Sequence, residues 1–417
     1  MAINKFVDRQ GNTLLDLSVD TVSENRVLAG TTYHGPDGAQ HIGTLDPGPL
    51  DYSQYNFIDY DGTLLYSYTD EELDALTALP AGPDHTGDNL TFQSWNWSLA
   101  DLKAWDRTRP DRPIVGANLI TTDGKSYLYL DTPYYGATLS FSTYGTLNSV
   151  DWGDGTVDTN KSHVYTNPGQ YVIVIDMGEN SHFYFGYGDP SKSTNKQWIK
   201  RIKLGNIYII ESYAFTELRS LESITIPINV KAIRGSAFYF CKSLKSFSIP
   251  NGIKGDSGLN GIENNMFGNC FSLKSISIPN GIKDIRYSIF TYCYSLQSIT
   301  IPNGVTTIQS NMFRNCNSLQ SITIPNSVTT IQASVFQECF SLQSISIPDS
   351  VTKIEGNNIF SNCYATLDLS KQSKVITLTG SIGLSTIYNK ILVPSALLSD
   401  YKSASYWSDF ANIMVGV

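Results

Sequence analysis

The sequence predicts a mainly β protein that ends in a solenoid with a helical cap. Two observations lead to this prediction. A proline that closes a short apolar pattern recurs through the second half of the chain, with spacings of 23, 29, 23, 23 and 23 residues, and such self-similarity is typical of stacked repeats. Upstream, short apolar segments alternate with Gly and Asp-Gly turns, as in antiparallel sheets. We therefore divide the chain into residues 1–49, 50–112, 113–197 and 198–417.

The composition favours a binding protein. The 417 residues carry a formal net charge of −9, and only 16% of them are charged, so we expect no nucleic-acid partner. No apolar stretch is long enough to cross a bilayer, and the start of the chain shows no secretion signal, so we expect no membrane insertion. No nucleophile–base pair, phosphate-binding loop or metal-ligand spacing is present. The sequence thus predicts no catalytic residue, no metal and no cofactor.

Residues 1–49 are predicted to form a β-rich segment. They contain Asp-Leu-x-x-Asp-Thr-Val at 16–22, Leu-x-Gly-x-Thr at 28–32 and a run ending in Gly-Thr at 38–44. Together these motifs resemble a short segment at the start of many phage and prophage tail or virion proteins of Gram-positive bacteria. The resemblance implies attachment to other virion proteins through this segment. It also implies a virion localisation, with assembly in the host cytoplasm before release.

Residues 50–112 are predicted to form a small α+β domain rich in Tyr and Trp. An Asp-Gly turn indicates a hairpin over residues 56–66. The capping box of Thr69 and Glu72 begins a helix that we expect to run to residue 79. A second helix is predicted from Ser98 to residue 105.

One motif in this hairpin suggests an alternative function. Residues 57–64 match the first motif of haloacid-dehalogenase-type phosphatases. In that family the first Asp, here Asp59, attacks phosphorus, and the second, here Asp61, acts as acid and base, both helping to hold magnesium. That chemistry also needs further residues on a parallel α/β sheet, and the chain becomes all-β soon afterwards. We therefore expect a non-enzymatic protein and keep a phosphatase as an alternative.

Residues 113–197 are predicted to form a β-sandwich. They contain Trp-Gly-Asp-Gly-Thr at 152–156, His163-x-Tyr165 and a Pro-Gly-x-Tyr run at 168–171. This trio resembles the PKD domain, an immunoglobulin-like module of surface proteins that implies a spacer or adhesive role. Asp151 and Asp154 could hold a cation, but such residues more often form turns.

Residues 198–417 are predicted to form the solenoid. The repeat pattern is Leu-x-x-Ile-x-Ile-Pro, as at Leu319, Ile322 and Ile324. The two Ile side chains lie on one face of a short strand, and the Pro ends that strand. One repeat cannot close a core alone, whereas stacked repeats bury a continuous one. Residues 391–407 indicate a strand, a Pro-led helix and an aromatic plug, which together form a cap.

The period, the Phe-x-x-Cys motif and the Val-Pro-x-x-Leu cap resemble the BspA-type leucine-rich repeats, a class found in bacterial surface proteins and in phage and prophage proteins.

The six cysteines all lie three residues after the Phe of their repeat. They are Cys241, Cys270, Cys293, Cys316, Cys339 and Cys363. The first repeat carries Leu218 at the same position, and Leu could not replace a metal ligand or a disulfide partner. The cysteines are therefore predicted to form a ladder of small core side chains, which also fits production in a reducing cytoplasm.

The candidate ligand-binding residues are aromatic side chains beside these cysteines, which we call the aromatic edge. They are Tyr239, Phe240, Phe271, Tyr292, Tyr294, Phe340 and Tyr364. Exposed aromatic side chains suit stacking on sugar rings; the alternative is that half of them pack between coils. The outward strand positions form one Ser column and one Ser/Thr column, predicted to be a flat and exposed polar surface.

These observations favour a phage structural protein displayed on the virion. The prediction is a tail fibre or receptor-binding protein that attaches to the bacterial host surface, to a glycan or a protein, through its repeats and PKD-like module. One alternative is a bacterial surface adhesin, the more usual home of such repeats; another is a phage head-fibre or decoration protein. Fibres are commonly trimers, so analogy suggests a homotrimer.

Overall fold

The computed structural model describes residues 50–186, 196–254, 261–385 and 389–417, together with the backbone of four short strands nearer the amino terminus. These strands form two antiparallel pairs. They are β1 (Lys5–Val7), β2 (Thr13–Asp16), β3 (Thr32–His34) and β4 (Gln40–Ile42). The motifs expected to attach the chain to a virion lie largely outside the described residues, so their role stays a prediction.

Residues 50–121 form a mixed four-stranded sheet with two short helices, which we call the aromatic module. Its strands are β5 (Tyr55–Ile58), β6 (Leu64–Tyr68), β7 (Leu90–Trp95) and β8 (Ile114–Thr121), and its helices are α1 (Asp70–Ala75) and α2 (Leu99–Lys103). The sheet order is β6-β5-β8-β7, and β5 pairs with β8 in parallel. The capping box of Thr69 and Glu72 is present. Both helices end earlier than expected.

Residues 126–184 form antiparallel β-structure around a buried Trp152. The strands are β9 (Ser126–Thr132), β10 (Ala137–Ser140), β11 (Ser142–Tyr144), β12 (Leu147–Asp151), β13 (Val157–Asp158), β14 (Ser162–Tyr165), β15 (Gly169–Met177) and β16 (His182–Tyr184). Strand β10 pairs with β14, and β11 pairs with β16. The Tyr165 hydroxyl donates to the Trp152 carbonyl at 3.1 Å, which closes the predicted Trp-Gly-Asp-Gly turn against its neighbouring strand.

This β-structure is joined directly to the solenoid. Strand β9 pairs antiparallel with the first solenoid strand, β17 (Ile199–Lys203), which pairs in parallel with β19 (Ser223–Thr225). The result is one six-stranded sheet in the order β13-β12-β15-β9-β17-β19. An open first coil would expose unpaired backbone groups. The preceding module therefore serves as the amino-terminal cap of the repeats.

The repeats stack through two rows of short parallel strands. The first row, which we call the strand face, contains β17, β19, β21 (Ser246–Ser248), β23 (Ser275–Ser277), β27 (Ser344–Ser346), β29 (Thr366–Asp368) and β31 (Ile391–Val393). The second row contains β18 (Ile209–Ile210), β20 (Ala232–Ile233), β22 (Gly261–Ile262), β24 (Asp284–Ile285), β25 (Thr307–Ile308), β26 (Thr330–Ile331), β28 (Lys353–Ile354) and β30 (Thr377–Leu378). This arrangement confirms the predicted mainly β fold and its solenoid.

Two side-chain ladders fill the core of the solenoid. Phe rings of successive coils stack almost parallel, as between Phe290 and Phe313, whose centroids lie 5.7 Å apart. Each thiol packs beside this stack, and that of Cys316 donates to the carbonyl of Phe290 at 3.2 Å. All six cysteines are free and buried, and Leu218 is equally buried in the same position. The predicted core role of the cysteines is therefore confirmed.

The carboxyl terminus forms the expected cap. Its elements are a 3₁₀ turn (Ser395–Leu397), α3 (Leu398–Ser403), a second 3₁₀ segment (Ser408–Ile413) and the strand β32 (Met414–Gly416). Trp407 is fully buried and donates from Nε1 to the Ile376 carbonyl at 2.7 Å. Two further 3₁₀ turns, Thr86–Asp88 and Lys196–Trp198, lie upstream. No helix among the described residues is long and apolar enough to cross a membrane.

Candidate functional site

The strand face is the first candidate binding surface, because Ser and Thr hydroxyls form two columns along it. In four successive coils the aromatic module covers both columns. The buried residues are Ser223, Ser246, Ser275 and Ser298 in one column and Thr225, Ser248, Ser277 and Thr300 in the other. In the next two coils Ser321, Ser344 and Ser346 are exposed and Thr323 is half-buried. The prediction of one flat exposed surface is therefore wrong for the covered coils.

Hydrogen bonds from the hydroxyl columns to main-chain oxygens attach the aromatic module to this face. Ser246 Oγ donates to the Tyr60 carbonyl at 3.2 Å. Thr300 Oγ1 donates to the Arg112 carbonyl, also at 3.2 Å. Because the acceptors are carbonyl groups, these two hydrogen bonds require a hydroxyl on the solenoid but no particular side chain on the module.

Asn96 lies at the centre of the contact and is fully buried. Its Nδ2 donates to the Ile249 carbonyl at 3.0 Å and contacts Ser277 Oγ at 2.8 Å. Its Oδ1 accepts from the Gly116 amide at 2.7 Å. One amide side chain thus satisfies buried polar groups on both sides of the contact, as the low polarity of the interior demands.

Two glycines allow the close approach of the two backbones. A Cβ atom on Gly62 would lie 2.9 Å from Ser246 Cβ, and one on Gly116 would lie 2.2 Å from Ser248 Oγ. Gly62 also has φ of 93°, a conformation that favours glycine. Small residues on both sides are therefore a steric requirement of this contact.

Arg109 marks the end of the covered surface. Its Nη1 donates to the Ile301 carbonyl at 3.0 Å and to Asn303 Oδ1 at 2.9 Å. Its Nε and Nη2 donate to the Asp111 carboxylate at 3.0 and 2.9 Å. The guanidinium also lies 4.2 Å from the centroid of Trp105. Arg109 is thus a structural contact, with its charge neutralised by an adjacent carboxylate.

Beyond Arg109 a cleft of about 610 Å³ separates the aromatic module from the uncovered coils. Its floor includes Ser298, Ser321, Thr323, Ser344 and Ser346, and its walls include Asp51, Tyr52, Asp106, Pro110, Pro348, Asp349 and Lys371. We call this feature the cleft. It combines hydroxyl groups, carboxylates and one partly buried tyrosine.

Beneath the module, the hydroxyls of Ser246 and Thr300 donate to it, whereas Ser248 Oγ has no partner. Within the residues that the structure describes, the hydroxyls of Ser298, Ser321, Thr323, Ser344 and Ser346 make no hydrogen bond. Ser298 is only 2% exposed, yet it lines the cleft. A buried hydroxyl usually has a hydrogen-bond partner. A ligand that enters the cleft could therefore supply partners for these hydroxyl groups.

The walls of the cleft are acidic. A hydrogen bond from the Thr108 side chain lowers the pKa of Asp106. Hydrogen bonds from the Ser373 backbone and hydroxyl lower the pKa of Asp349. Both carboxylates are therefore ionised at neutral pH, and among the described lining residues only Lys371 opposes them with an unpaired positive charge.

The aromatic edge is the second candidate surface. Tyr294, Phe340 and Tyr364 are 37%, 45% and 48% exposed, whereas the other four members are half-buried. Some rings of the aromatic edge therefore face solvent and others pack between coils, which are the two arrangements considered for this set. Its role in binding stays a prediction.

The aromatic edge consists of two groups. In the first, Lys242 Nζ lies 5.0 Å from the centroid of Phe271, and the Phe271 ring lies 5.0 Å from that of Tyr294. In the second, the rings of Phe340 and Tyr364 stack with centroids 6.4 Å apart. The repeat between the groups carries Asn at positions 315 and 317. An extended ligand would therefore contact two separate aromatic platforms.

Two members of the aromatic edge have a conformation that aromatic residues rarely adopt. Phe240 and Tyr292 have φ of 62° and 63°. The equivalent residues Asn269, Asn315 and Asn362 share this left-handed conformation, which Asn tolerates better than a bulky side chain. The left-handed region costs roughly 1–2 kcal/mol for an ordinary residue. Because Glu217 and Glu338 share it as well, the conformation belongs to the turn of each repeat, whichever side chain occupies the position.

The phosphatase-like motif is engaged in internal contacts. Asp59 is 5% exposed, and its Oδ2 lies 2.6 Å from His85 Nε2. Asp61 Oδ1 accepts from the Thr63 amide at 2.9 Å and closes the hairpin turn. Burial raises the pKa of Asp59, although the His85 hydrogen bond opposes that shift. Both aspartates therefore have partners within the module, and the absence of catalysis stays a prediction.

The acidic turn of the second module also has internal partners. Asp154 Oδ2 lies 2.7 Å from His163 Nε2, and Asp151 Oδ1 accepts from the Gly153 amide at 2.9 Å. In the part of the chain that the structure describes, no group of three His, Cys, Asp or Glu side chains could hold a metal ion. Asp151 and Asp154 both accept hydrogen bonds from backbone amides of the turn, and the expectation that no metal binds stays a prediction.

Comparison with known proteins assigns the repeats. Residues 194–256 and 253–366 match the family model "BspA type Leucine rich repeat region", in 6 copies. The array is a BspA-type leucine-rich-repeat solenoid. No curated protein is a significant match to the chain.

Several solved structures resemble it. One is a leucine-rich repeat protein from Bacteroides ovatus, with 20% identity, a TM-score of 0.40, and coverage of 61% of this chain and 70% of that one. Another is a T. pallidum leucine-rich repeat protein, with 22% identity, a TM-score of 0.32, and coverage of 48% and 97%. A third is a leucine-rich cell surface protein from Faecalibacterium prausnitzii, with 23% identity, a TM-score of 0.31, and coverage of 47% and 68%. The assignment of the repeats depends on the family match and the observed coils.

Proposed function

We propose that this chain is a non-enzymatic attachment protein that binds a glycan or a protein of a bacterial cell surface through the aromatic edge. The observation that carries the proposal is the exposure of Tyr294, Phe340 and Tyr364 on one rigid solenoid. Aromatic rings bury much area at a small cost in side-chain entropy, and they dominate many binding surfaces.

A pair of tyrosine variants tests this role. Tyr294→Ala, alone or with Tyr292→Ala, should weaken attachment of the purified protein to intact bacteria at least tenfold. Tyr287 lies in the same repeat and is 48% exposed, but it is outside the aromatic edge. Tyr287→Ala should therefore bind as the unaltered protein does. Equal binding by all variants, with unchanged circular dichroism, would remove the aromatic edge from consideration.

We propose that this attachment protein is part of a phage virion and that it forms a tail fibre. The support is the amino-terminal resemblance to phage and prophage virion proteins. The second candidate is a bacterial surface adhesin, and the BspA-type repeats favour it because they are common in bacterial surface proteins. Mass spectrometry of density-purified particles and of the cell-wall fraction separates the two. Recovery in particles supports the virion, and recovery only in cell wall supports the adhesin.

The proposal includes the absence of catalysis. Trace phosphatase activity that requires magnesium and disappears in Asp59→Asn would contradict it, because Asp59 occupies the nucleophile position of the phosphatase motif. We expect no such activity in the full chain, measured with p-nitrophenyl phosphate.

A further inference from the structure

We propose that the cleft between the aromatic module and the uncovered coils binds a neutral or amino-sugar glycan chain. The cleft is separate from the aromatic edge, so this inference goes beyond the proposed function. Its volume of about 610 Å³ lies within the range of roughly 300–1,000 Å³ that is usual for ligand sites.

Two hydroxyls of the covered coils show which kind of partner the strand face can bind, while Ser248 Oγ in the same coils has none. Ser246 and Thr300 each donate to a carbonyl oxygen of the aromatic module at 3.2 Å. Ser344 occupies the same column as Ser246, and Thr323 the same column as Thr300, but neither has a partner among the described residues. Ser298 is almost completely buried and also lacks one. A ligand with acceptor oxygens would complete the same hydrogen-bonding pattern.

The spacing of these hydroxyls favours a glycan over an extended peptide. Adjacent strands of a sheet lie about 4.8 Å apart, so hydroxyls in one column repeat at that distance. A peptide extended along the solenoid axis would present carbonyls on one side every two residues, at about 6.6–6.8 Å. It would soon fall out of register with the floor. Sugar hydroxyls both donate and accept, so each ring can pair with floor hydroxyls and wall carboxylates.

The charge of the cleft selects among glycans. Asp106 and Asp349 have lowered pKa values because of their hydrogen bonds, so both repel anionic polymers at neutral pH. The carboxylates accept hydrogen bonds from sugar hydroxyls or from an amino group. Tyr52 lines the same wall and is half-buried, which leaves part of its ring for an apolar sugar face. Neutral and amino sugars meet these conditions, whereas phosphate-rich or carboxylate-rich polymers do not.

The experiment uses the full chain on an array of neutral, amino-sugar and anionic glycans, with titration calorimetry of each glycan that binds. Thr323→Ala combined with Ser344→Ala removes two floor hydroxyls at accessible positions and should raise Kd at least tenfold. Ser321→Tyr, which fills the cleft, should cause a similar loss. Tyr287→Ala serves as the control, because Tyr287 is exposed and lies outside both the aromatic edge and the cleft. Tyr294→Ala reports any binding at the aromatic edge.

Binding of neutral or amino-sugar glycans that both floor variants weaken, and that Tyr287→Ala leaves unchanged, supports the proposal. It is overturned if no glycan of the array binds, if only anionic glycans bind, or if only Tyr294→Ala reduces binding. An extended peptide that binds instead, and is lost in the same floor variants, would also overturn it. Cell attachment measured on Tyr294→Ala tests the aromatic edge separately, so failure of either site can be recognised.

Discussion

Replacing Asn96 with Ala should loosen the aromatic module from the strand face. The substitution removes the partner of the Gly116 amide, at 2.7 Å, and of the Ile249 carbonyl, at 3.0 Å. A buried polar group left without a partner costs about 1–3 kcal/mol. Two such groups amount to about 3 kcal/mol. Since each 1.4 kcal/mol is a factor of ten, opening of the contact should become roughly a hundredfold more frequent.

Hydrogen exchange of the full chain, followed by mass spectrometry of peptides, measures this opening. In Asn96→Ala, exchange should rise both in β8 and in β23 of the solenoid, because the two strands shield each other. Asn56→Ala is the matched control: Asn56 is equally buried, but its Nδ2 donates to the carbonyls of Asp51 and Gln54 within the module. It should raise exchange in the module alone. An Asn96→Ala variant with unchanged exchange in β23 would refute this account of the contact.

Two further predictions concern titratable groups in the core. Burial raises the pKa of Cys241 to about 12 and that of Cys363 to about 11. The native protein at pH 8 should therefore react with a thiol reagent far more slowly than the denatured protein. Fast labelling of the native protein would contradict the buried ladder of cysteines. Burial lowers the pKa of His182 in the folded protein, whereas an ordinary histidine has a pKa of about 6.5. As the pH falls below about 6.5, the unfolded state therefore takes up a proton first and the stability of the folded state decreases. The urea midpoint of His182→Gln should fall less between pH 7.5 and 5.5 than that of the unaltered protein, and an identical fall would contradict the shift.

The solenoid was predictable because its signal is repeated along the chain. Every coil needs the same inward side chains, so the pattern at Leu319, Ile322 and Ile324 occurs again and again. The exception at Leu218 was equally informative, since it identified the cysteine positions as core positions. The capping box at Thr69 was visible for a similar reason, because its partner lies three residues away. Local chemistry and strict periodicity can both be recognised in a single sequence.

The packing of the aromatic module on the strand face could not be predicted, because the contacting residues are distant in sequence and share no recognisable motif. Ser246 is buried and Ser344 is exposed, yet both stand at the same position of the same repeat. The difference depends on main-chain carbonyls of the aromatic module, which any residue could provide. For the candidate sites, the exposed rings of the aromatic edge were included in the prediction. The cleft was not, because it exists only where the module stops short of the last coils.

Cysteine labelling tests the central claim that the aromatic module covers one part of the hydroxyl columns and leaves another part open. The native thiols are buried, so an introduced cysteine can be followed with a maleimide. Ser344→Cys should be labelled rapidly, whereas Ser246→Cys, at a position only 1% exposed, should be protected until the protein unfolds. Equal labelling of the two variants in the folded protein would contradict the arrangement on which the cleft depends.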